Sequence, residues 1–167
     1  MAKTIHRDVI LIVYNVRSLY NVGSIFRTAD ALGIKKIYLS GITPAPIDNF
    51  GNYRSKIKKV SLGAEKFVPW EKVANSTKKV LSLIEQLKKE GYKILALEQA
   101  KTSVNIFKSK FSNNKKLCLI VGNEVSGLPA KILKVVDKIL EIPMYGKKES
   151  LNVSVAFGVA GYQLIMN

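Results

Sequence analysis

The sequence predicts an α/β fold, with a mostly parallel sheet flanked by helices. Short apolar and β-branched runs alternate with longer stretches of helical period, a pattern typical of parallel strands joined by helical crossovers. One run, LCLIV at 117–121, is apolar at every position, as expected of a strand that helices cover on both faces. Because 167 residues fit one domain, we expect a single domain over 1–167 with no accessory domain.

Apolar runs and helical periods place the individual elements along the chain. Strands are expected at 8–16, 35–41, 65–70, 92–99, 116–122 and 138–144, and helices at 21–32, 74–90, 129–134 and 152–167. The second helix is the most clearly amphipathic, because apolar residues from Val80 to Leu87 recur at helical spacing between lysines. Gly91 is expected to stop it before the next strand.

The stretch between Ser40 and Leu62 predicts a mobile loop, since prolines, asparagines and glycine precede a basic run. That run contains Arg54, Lys56, Lys58 and Lys59. Phe50 and Tyr53 add aromatic faces beside the positive charge, a combination that favours single-stranded RNA. An ordinary solvated connection explains the same residues equally well.

The overall charge indicates a polyanionic partner. The chain carries 27 Lys and Arg residues against 12 Asp and Glu residues, a net charge of +15. Nucleic acid is the commonest polyanion, because each cation that neutralises a phosphate releases condensed counterions. An anionic membrane surface is the main rival, and a merely solvated lysine-rich surface is a third interpretation.

Scarce cysteine and histidine exclude several classes of site. Cys118 and His6 are the only residues of their kinds, so a zinc cluster or a Ser-His-Asp triad is not expected, and we predict no metal. A lone cysteine forms no internal disulfide, and the start of the chain lacks the pattern of a secretory signal, so we expect a cytoplasmic protein. Cys118 is expected to be a small core residue. The apolar runs fall short of the roughly 20 residues that span a bilayer.

Three segments that follow or end predicted strands carry the residues best suited to chemistry. They are 15–33, 119–129 and 142–160. Ligands of open α/β sheets bind beyond the carboxyl ends of the strands. These segments are therefore expected to converge on one site.

In the first segment, Asn21 is placed to cap a helix and Arg27 lies on the turns that follow. A guanidinium offers a bidentate fork that matches phosphate. Taken alone, an arginine at this position is more often part of a surface ion pair than of an active site.

In the second segment, Gly122 and Gly127 bracket Asn123 and Glu124. Glycines at such positions allow a tight turn in which the backbone approaches a ligand closely. The segment lacks the GK[ST] ending of a P-loop, so a phosphate-cradling nucleotide site is disfavoured.

In the third segment, Ser150 and Asn152 precede a helix of small and apolar residues that carries no charge from 152 to 167. Ser150 could serve simply as a helix N-cap. The lack of charge indicates burial against the sheet or a second subunit, and we favour a dimer interface.

In this order, the three segments resemble the signature motifs of the SpoU (TrmH-like) family, within the SPOUT superfamily of methyltransferases. The matching residues are Asn21 and Arg27, then Gly122, Asn123 and Glu124, then Ile142, Pro143, Ser150, Leu151 and Asn152. The motifs cover roughly fifty positions, which makes chance agreement improbable. The resemblance implies an RNA 2′-O-methyltransferase that acts on tRNA or rRNA, works as a homodimer and ties its C-terminal segment into a deep trefoil knot.

The resemblance also assigns site residues. S-adenosylmethionine is expected at Val121, Gly122, Asn123, Ile142, Met144, Ser150 and Leu151. Catalytic roles are implied for Arg27, Asn21, Glu124, Ser150 and Asn152, and RNA binding for Arg17, Arg27, Arg54, Lys56, Lys58 and Lys59. Because a guanidinium stays protonated near neutral pH, Arg27 is better suited to position the hydroxyl and an adjacent phosphate than to act as a base.

Two rival classes remain open from the sequence. A non-catalytic RNA-binding relative would keep the charge and fold without turnover. A related enzyme that methylates a base nitrogen would share the superfamily fold. Cofactor binding distinguishes the first from an enzyme, and analysis of the modified nucleoside distinguishes the second.

Overall fold

The computed structural model describes residues 7–111, 114–123 and 125–166. Within them the strands are β1 (Asp8–Tyr14), β2 (Lys36–Ser40), β3 (Trp70–Lys72), β4 (Lys93–Leu97), β5 (Val104–Asn105), β6 (Lys116–Val121) and β7 (Lys138–Glu141). The helices are α1 (Leu19–Leu32), α2 (Ser55–Ser61), α3 (Thr77–Lys89), α4 (Ala130–Leu133) and α5 (Val153–Met166). The predicted alternation of strands and helices is confirmed.

The strands of the described chain form one seven-stranded parallel sheet in the order β3-β2-β1-β6-β4-β7-β5. The two most apolar strands, β1 and β6, pair at its centre from Asp8 with Lys116 to Val13 with Val121. Because every pairing is parallel, the carboxyl ends of all strands lie along one edge. That edge is where open α/β sheets bind their ligands.

Helices cover both faces of the sheet, as the apolar strand centres predicted. Val9 and Leu11 of β1 join a core formed with α1 and α5, whereas Ile10 and Ile12 join a second core formed with α3 and α4. Cys118 is fully buried in the second core, and burial raises the pKa of its thiol. Its predicted role as a small core residue is confirmed.

The small residues of α5 allow it to pack closely against α1. A Cβ added at Gly161 would lie 2.5 Å from the Leu32 side chain, and one at Gly158 would lie 3.8 Å from Thr28. At the start of both helices, Asn152 donates a side-chain hydrogen bond to Asn21 at 3.0 Å. The last helix thus returns from β7, near one end of the sheet, to the helix that follows the central strand β1.

The strand predicted at 65–70 is wrong. Gly63, at φ 96°, begins a single 3₁₀ turn over Ala64–Lys66, and the strand β3 starts only at Trp70. The buried carboxylate of Glu65 accepts a hydrogen bond from Ser61 at 2.5 Å, which holds this turn against α2. The two-residue strand β5 was not predicted.

The loop predicted at 40–62 is only partly correct. Ser55–Ser61 forms α2, which packs on α1 and buries Ile57. Upstream, the Asp48 side chain accepts hydrogen bonds from the amides of Phe50 and Asn52 at 2.9 Å, and these bonds lower the pKa of its carboxyl group. The segment is a hydrogen-bonded turn followed by a helix.

The two helix caps differ from the predicted ones. Ser18, not Asn21, caps α1, because its hydroxyl accepts a hydrogen bond from the Asn21 amide at 3.2 Å. At α5 the cap is Asn152 rather than Ser150, since the Asn152 side chain accepts from the Ser154 amide at 2.9 Å. The side chains of Asn21 and Ser150 therefore do not cap these helices.

Candidate functional site

A cavity of about 510 Å³ lies at the carboxyl ends of β6, β4 and β7. Its walls come from the ends of these strands and the segments after them, at 97–99, 121–123, 125–128, 141–142, 144 and 149–151, together with Leu133, Val153 and Ala156 from α4 and α5. All the residues expected to bind a cofactor line it, namely Val121, Gly122, Asn123, Ile142, Met144, Ser150 and Leu151. We refer to it as the motif cavity.

The turn after β6 is held by a dense set of hydrogen bonds. The Asn123 side-chain oxygen accepts from the amides of Val125 at 2.7 Å and Ser126 at 3.1 Å. Gly127 adopts φ 60°, and a Cβ there would lie 2.3 Å from the Glu98 carboxylate. The left-handed backbone conformation favours glycine at this position, and a Cβ there would force the Glu98 carboxylate to move.

Glu98 secures the same turn from the neighbouring strand. One of its carboxylate oxygens accepts from the Leu128 amide at 2.8 Å, and the other accepts from the Gln99 amide at 3.0 Å. Gln99 in turn donates to the backbone carbonyl of Glu149 at 2.6 Å, which ties the loop after β7 to the end of β4. Sequence reasoning placed both residues in the strand predicted at 92–99 and did not single them out, because their contacts are with segments far along the chain.

The motif cavity is acidic in a strongly basic chain. Among the described residues that line it, the charged ones are Glu98, Glu141 and Glu149. Glu141 accepts a hydrogen bond from Ser103 at 2.5 Å. The arrangement favours a ligand with cationic groups.

The predicted catalytic residues fall into three groups. Ser150 lines the motif cavity, and Asn152 binds Asn21 beside it. Arg27 lies on the exposed face of α1 and does not line the cavity of its own chain. Glu124 lies outside the described residues, as does His6.

A second cavity of about 520 Å³ lies at the carboxyl ends of β1, β2 and β3. Its charged lining residues are Arg17, Arg54 and Lys72, so we refer to it as the basic cavity. The structure brings two of the predicted RNA-binding residues together here, whereas Lys56, Lys58 and Lys59 lie exposed on α2. Lys72 was not predicted as a site residue.

Asn15 joins the two cavities at the end of β1. It has φ 57°, in the left-handed region that is uncommon for residues other than glycine. Its side-chain oxygen accepts from the Ile42 amide at 3.1 Å, and its backbone carbonyl accepts from the Asn123 side chain at 2.9 Å. A Cβ at Gly41 would lie 1.9 Å from that side-chain oxygen, so the contact needs glycine opposite it.

The described part of the chain contains neither a metal-binding cluster nor a membrane-spanning helix. No group of three or more His, Cys, Asp or Glu side chains there is arranged to hold a metal ion. No helix in the same part of the chain is long and apolar enough to cross a membrane.

Comparison with known proteins gives a consistent result. The model of the SpoU rRNA Methylase family matches residues 8–162. The chain is 35% identical over 158 residues to the tRNA (guanosine(18)-2′-O)-methyltransferase of Aquifex aeolicus, covering 94% of this chain and 68% of that protein. It is 31% identical over 157 residues to the 23S rRNA (guanosine(2553)-2′-O)-methyltransferase of Bacillus subtilis, covering 93% and 57%.

A solved structure is similar over nearly the whole chain. The AdoMet-bound rRNA methyltransferase from Sinorhizobium meliloti superposes with a TM-score of 0.82 at 26% identity. The superposition covers 94% of this chain and 55% of that one. The chain therefore spans between about half and two thirds of the length of these relatives.

Proposed function

Because the chain belongs to the SpoU rRNA Methylase family, we propose that it transfers a methyl group from S-adenosylmethionine to a ribose 2′-hydroxyl of tRNA or rRNA. The observation that carries this proposal is the motif cavity, whose walls contain every residue expected at the cofactor. The relatives named above act on both classes of RNA. We propose the cytoplasm as the compartment, since a lone buried cysteine suits a reducing environment.

The chemistry of the motif cavity fits S-adenosylmethionine. Its volume lies within the range of roughly 300–1,000 Å³ typical of small-molecule sites. Leu97, Ile142 and Leu151 provide apolar surface for an adenine ring, and the lining carboxylates suit a sulfonium and an ammonium group. The bound cofactor supplies an electrophilic methyl group.

The protein's own contribution is to align the acceptor oxygen. Orientation of two bound reactants supplies about 7–11 kcal/mol of a barrier in well-ordered systems, so no covalent nucleophile is needed. We assign Arg27 to hold the ribose hydroxyl and its adjacent phosphate, and Asn21, Ser150 and Asn152 to fix the geometry around them. Glu124 is assigned to the same group from its motif alone.

A homodimer would bring Arg27 to the chemistry. In one chain Arg27 is exposed and does not line the motif cavity, while α5 exposes Val155 by 51%, Tyr162 by 48% and Met166 by 82%. An apolar face of this kind on a charge-free helix suits a second copy of the chain. We propose that this face forms the dimer interface and that Arg27 of one subunit serves the motif cavity of the other.

The proposed trefoil knot is supported by the path of the last segment. Residues 142–151 border the same cavity as the turns after β4 and β6, and α5 then packs on α1 across the central strands. General topology rules disfavour a knot, so the proposal rests on the family together with this path. A crystal structure that traces 142–152 outside the loop after β4 would contradict it.

The test is direct. Purified protein is incubated with S-adenosylmethionine and unmodified tRNA or rRNA, the RNA is digested to nucleosides, and the products are separated by mass spectrometry. We expect a 2′-O-methylnucleoside that depends on the protein. A base-methylated nucleoside would assign the chain to the other branch of the superfamily, and cofactor binding without any methylated product would indicate a non-catalytic relative.

A further inference from the structure

We propose that the basic cavity binds one backbone phosphodiester of a single-stranded RNA segment, with Arg17, Arg54 and Lys72 as its ligands. The inference rests on the proposed function and adds a defined anchoring point for the RNA. It lies at the carboxyl ends of β1, β2 and β3, apart from the cavity assigned to the cofactor.

The charge of the basic cavity is unbalanced. The three cations line it without a carboxylate among the described lining residues. The acidic residues nearest in sequence to the lining residues are Asp48 and Glu71. Glu71 pairs with Lys36 at 2.7 Å, whereas Asp48 accepts hydrogen bonds from the amides of Asn52 and Phe50, and the charge of Arg54 helps to lower the pKa of its carboxyl group. An anion entering this space would therefore meet three cations against one nearby carboxylate.

Two of the cations are held in place by hydrogen bonds and keep further N–H groups available for a ligand. The Lys72 ammonium donates to the carbonyls of Gly41 and Thr43, both at 2.6 Å, which leaves one of its three N–H groups for a ligand. Arg54 donates from Nε to the Ala45 carbonyl at 3.1 Å, which leaves its two terminal nitrogens for a bidentate contact with phosphate.

The walls of the basic cavity are themselves fixed. Thr43 accepts a hydrogen bond from the Val16 amide at 3.1 Å and donates one to the Val13 carbonyl at 3.1 Å. These bonds join the segment after β1 to the segment after β2. Partial desolvation of the ammonium also lowers the pKa of Lys72, even though the residue as a whole is exposed.

The apolar lining distinguishes a nucleotide from a bare ion. Leu19, Ile42, Pro44 and Ile47 line the cavity beside the cations, and they provide surface for a ribose or a base edge next to the bound phosphate. Phe50 and Tyr53 are exposed nearby in sequence, where they can stack on unpaired bases. An RNA segment uses all of these groups, whereas free phosphate uses only the cations.

Arg17→Gln is the main test variant, because within the described residues the Arg17 side chain makes no hydrogen bond or ion pair whose loss would disturb the fold. Lys72→Gln is the second variant. Lys89→Gln is the matched control, since Lys89 forms an exposed ion pair with Glu85 and lies before β4 at the opposite edge of the sheet.

Binding of a fluorescein-labelled oligouridylate is measured by anisotropy over a range of salt concentrations. For one lost phosphate contact, we expect each test variant to lower the slope of log K against log salt by up to about 0.7, and the control to leave it unchanged. In parallel, inorganic phosphate is titrated against ¹⁵N-labelled protein. Test variants that bind the RNA like the wild type would overturn the inference. Phosphate-induced shifts at Ile42 and Thr43 with unchanged RNA binding would assign the cavity to free phosphate and would also overturn it.

Calorimetry with S-adenosylmethionine on the same variants separates this inference from the proposed function. We expect cofactor affinity to be unchanged by Arg17→Gln. A wild type that methylates RNA while both test variants bind RNA normally would refute the basic cavity alone. A wild type that transfers no methyl group would refute the proposed function, whatever the RNA-binding result.

Discussion

The carboxyl edge of the sheet divides into two halves that differ in charge and in the way they are built. The half beyond β4, β6 and β7 holds the motif cavity, with glutamates as its charged lining residues and a turn that depends on glycine. The half beyond β1, β2 and β3 holds the basic cavity, with lysine and arginine held by backbone carbonyls. On the proposed assignments, one scaffold holds adjoining sites for a cationic cofactor and a polyanionic substrate, and the net charge of +15 gives no sign of the acidic cavity.

The largest expected effect concerns Arg27, which lies on α1 outside both cavities of its own chain but is assigned to chemistry in the acidic half. Arg27→Ala should lower the rate of methyl transfer by about 10²–10³-fold, the range seen when one positioned donor is removed from a reacting oxygen. Cofactor affinity by calorimetry should be unchanged, since Arg27 is assigned to the ribose hydroxyl and its phosphate and not to the cofactor. A transfer rate near that of the wild type would exclude Arg27 from the reaction.

A smaller effect is expected from a charge placed on the proposed dimer face. Tyr162→Asp should weaken dimerisation by at least about 2 kcal/mol, or roughly thirtyfold, because a desolvated unpaired charge is costly at an interface. Sedimentation velocity measures the change, and transfer activity should fall with the dimer. Val135→Asp, which alters an exposed apolar residue beside α4, serves as the control. Identical sedimentation of the two variants would contradict the interface.

The glycine turn of the acidic half can be tested with a matched pair. Gly33 and Gly127 both adopt left-handed φ values, 65° and 60°, but a Cβ at Gly33 meets nothing within 4 Å, whereas one at Gly127 collides with Glu98. Both alanine variants should lose about 1–2 kcal/mol of stability from the backbone conformation. Only Gly127→Ala should also weaken S-adenosylmethionine binding, by about tenfold or 1.4 kcal/mol. Equal cofactor affinities would show that the turn does not shape the cofactor site.

The smallest effect is expected on α2. Lys58→Gln removes an exposed cation whose side chain makes no hydrogen bond or ion pair with the described residues. RNA affinity should therefore fall only a few-fold, and the salt slope by at most about 0.7. Transfer at saturating RNA should be unchanged. A larger loss than that of Arg17→Gln would place the main RNA contact on α2 and would weaken the case for the basic cavity.

Hydrophobic patterning predicted the longer elements. The central strands β1 and β6, which are buried on both faces, and the helix α3, which is buried on one face, lie where their apolar residues indicated. The short elements α2 and β5 were not predicted. The helix α2 buries only Ile57 and Ser61, and β5 has two residues, so neither is long enough to show a hydrophobic period. At 65–70 an apolar run near Trp70 suggested a strand, but a glycine-initiated turn occupies its first half.

The candidate site was predictable to the extent that it follows strand ends and motifs. The residues expected at the cofactor do line one cavity, because parallel strands bring their carboxyl ends together. Glu98 and Lys72 were missed, since each acts through contacts with segments far along the chain that no local pattern reveals. In the proposed dimer, Arg27 would reach the motif cavity of a second subunit. The hydrophobic pattern of one sequence does not predict such a contact between subunits.

Asn15, whose backbone lies in the left-handed region, connects the borders of the two cavities. Its carbonyl accepts a hydrogen bond from the turn that borders the motif cavity, and its side chain accepts one from the segment that borders the basic cavity. If a ligand in either cavity displaces this residue, the two binding events become coupled. Linkage then requires reciprocity, so the factor by which RNA changes the dissociation constant of the cofactor equals the factor by which the cofactor changes that of RNA. Asn15→Ala would remove the side-chain half of this connection and bring that factor towards one.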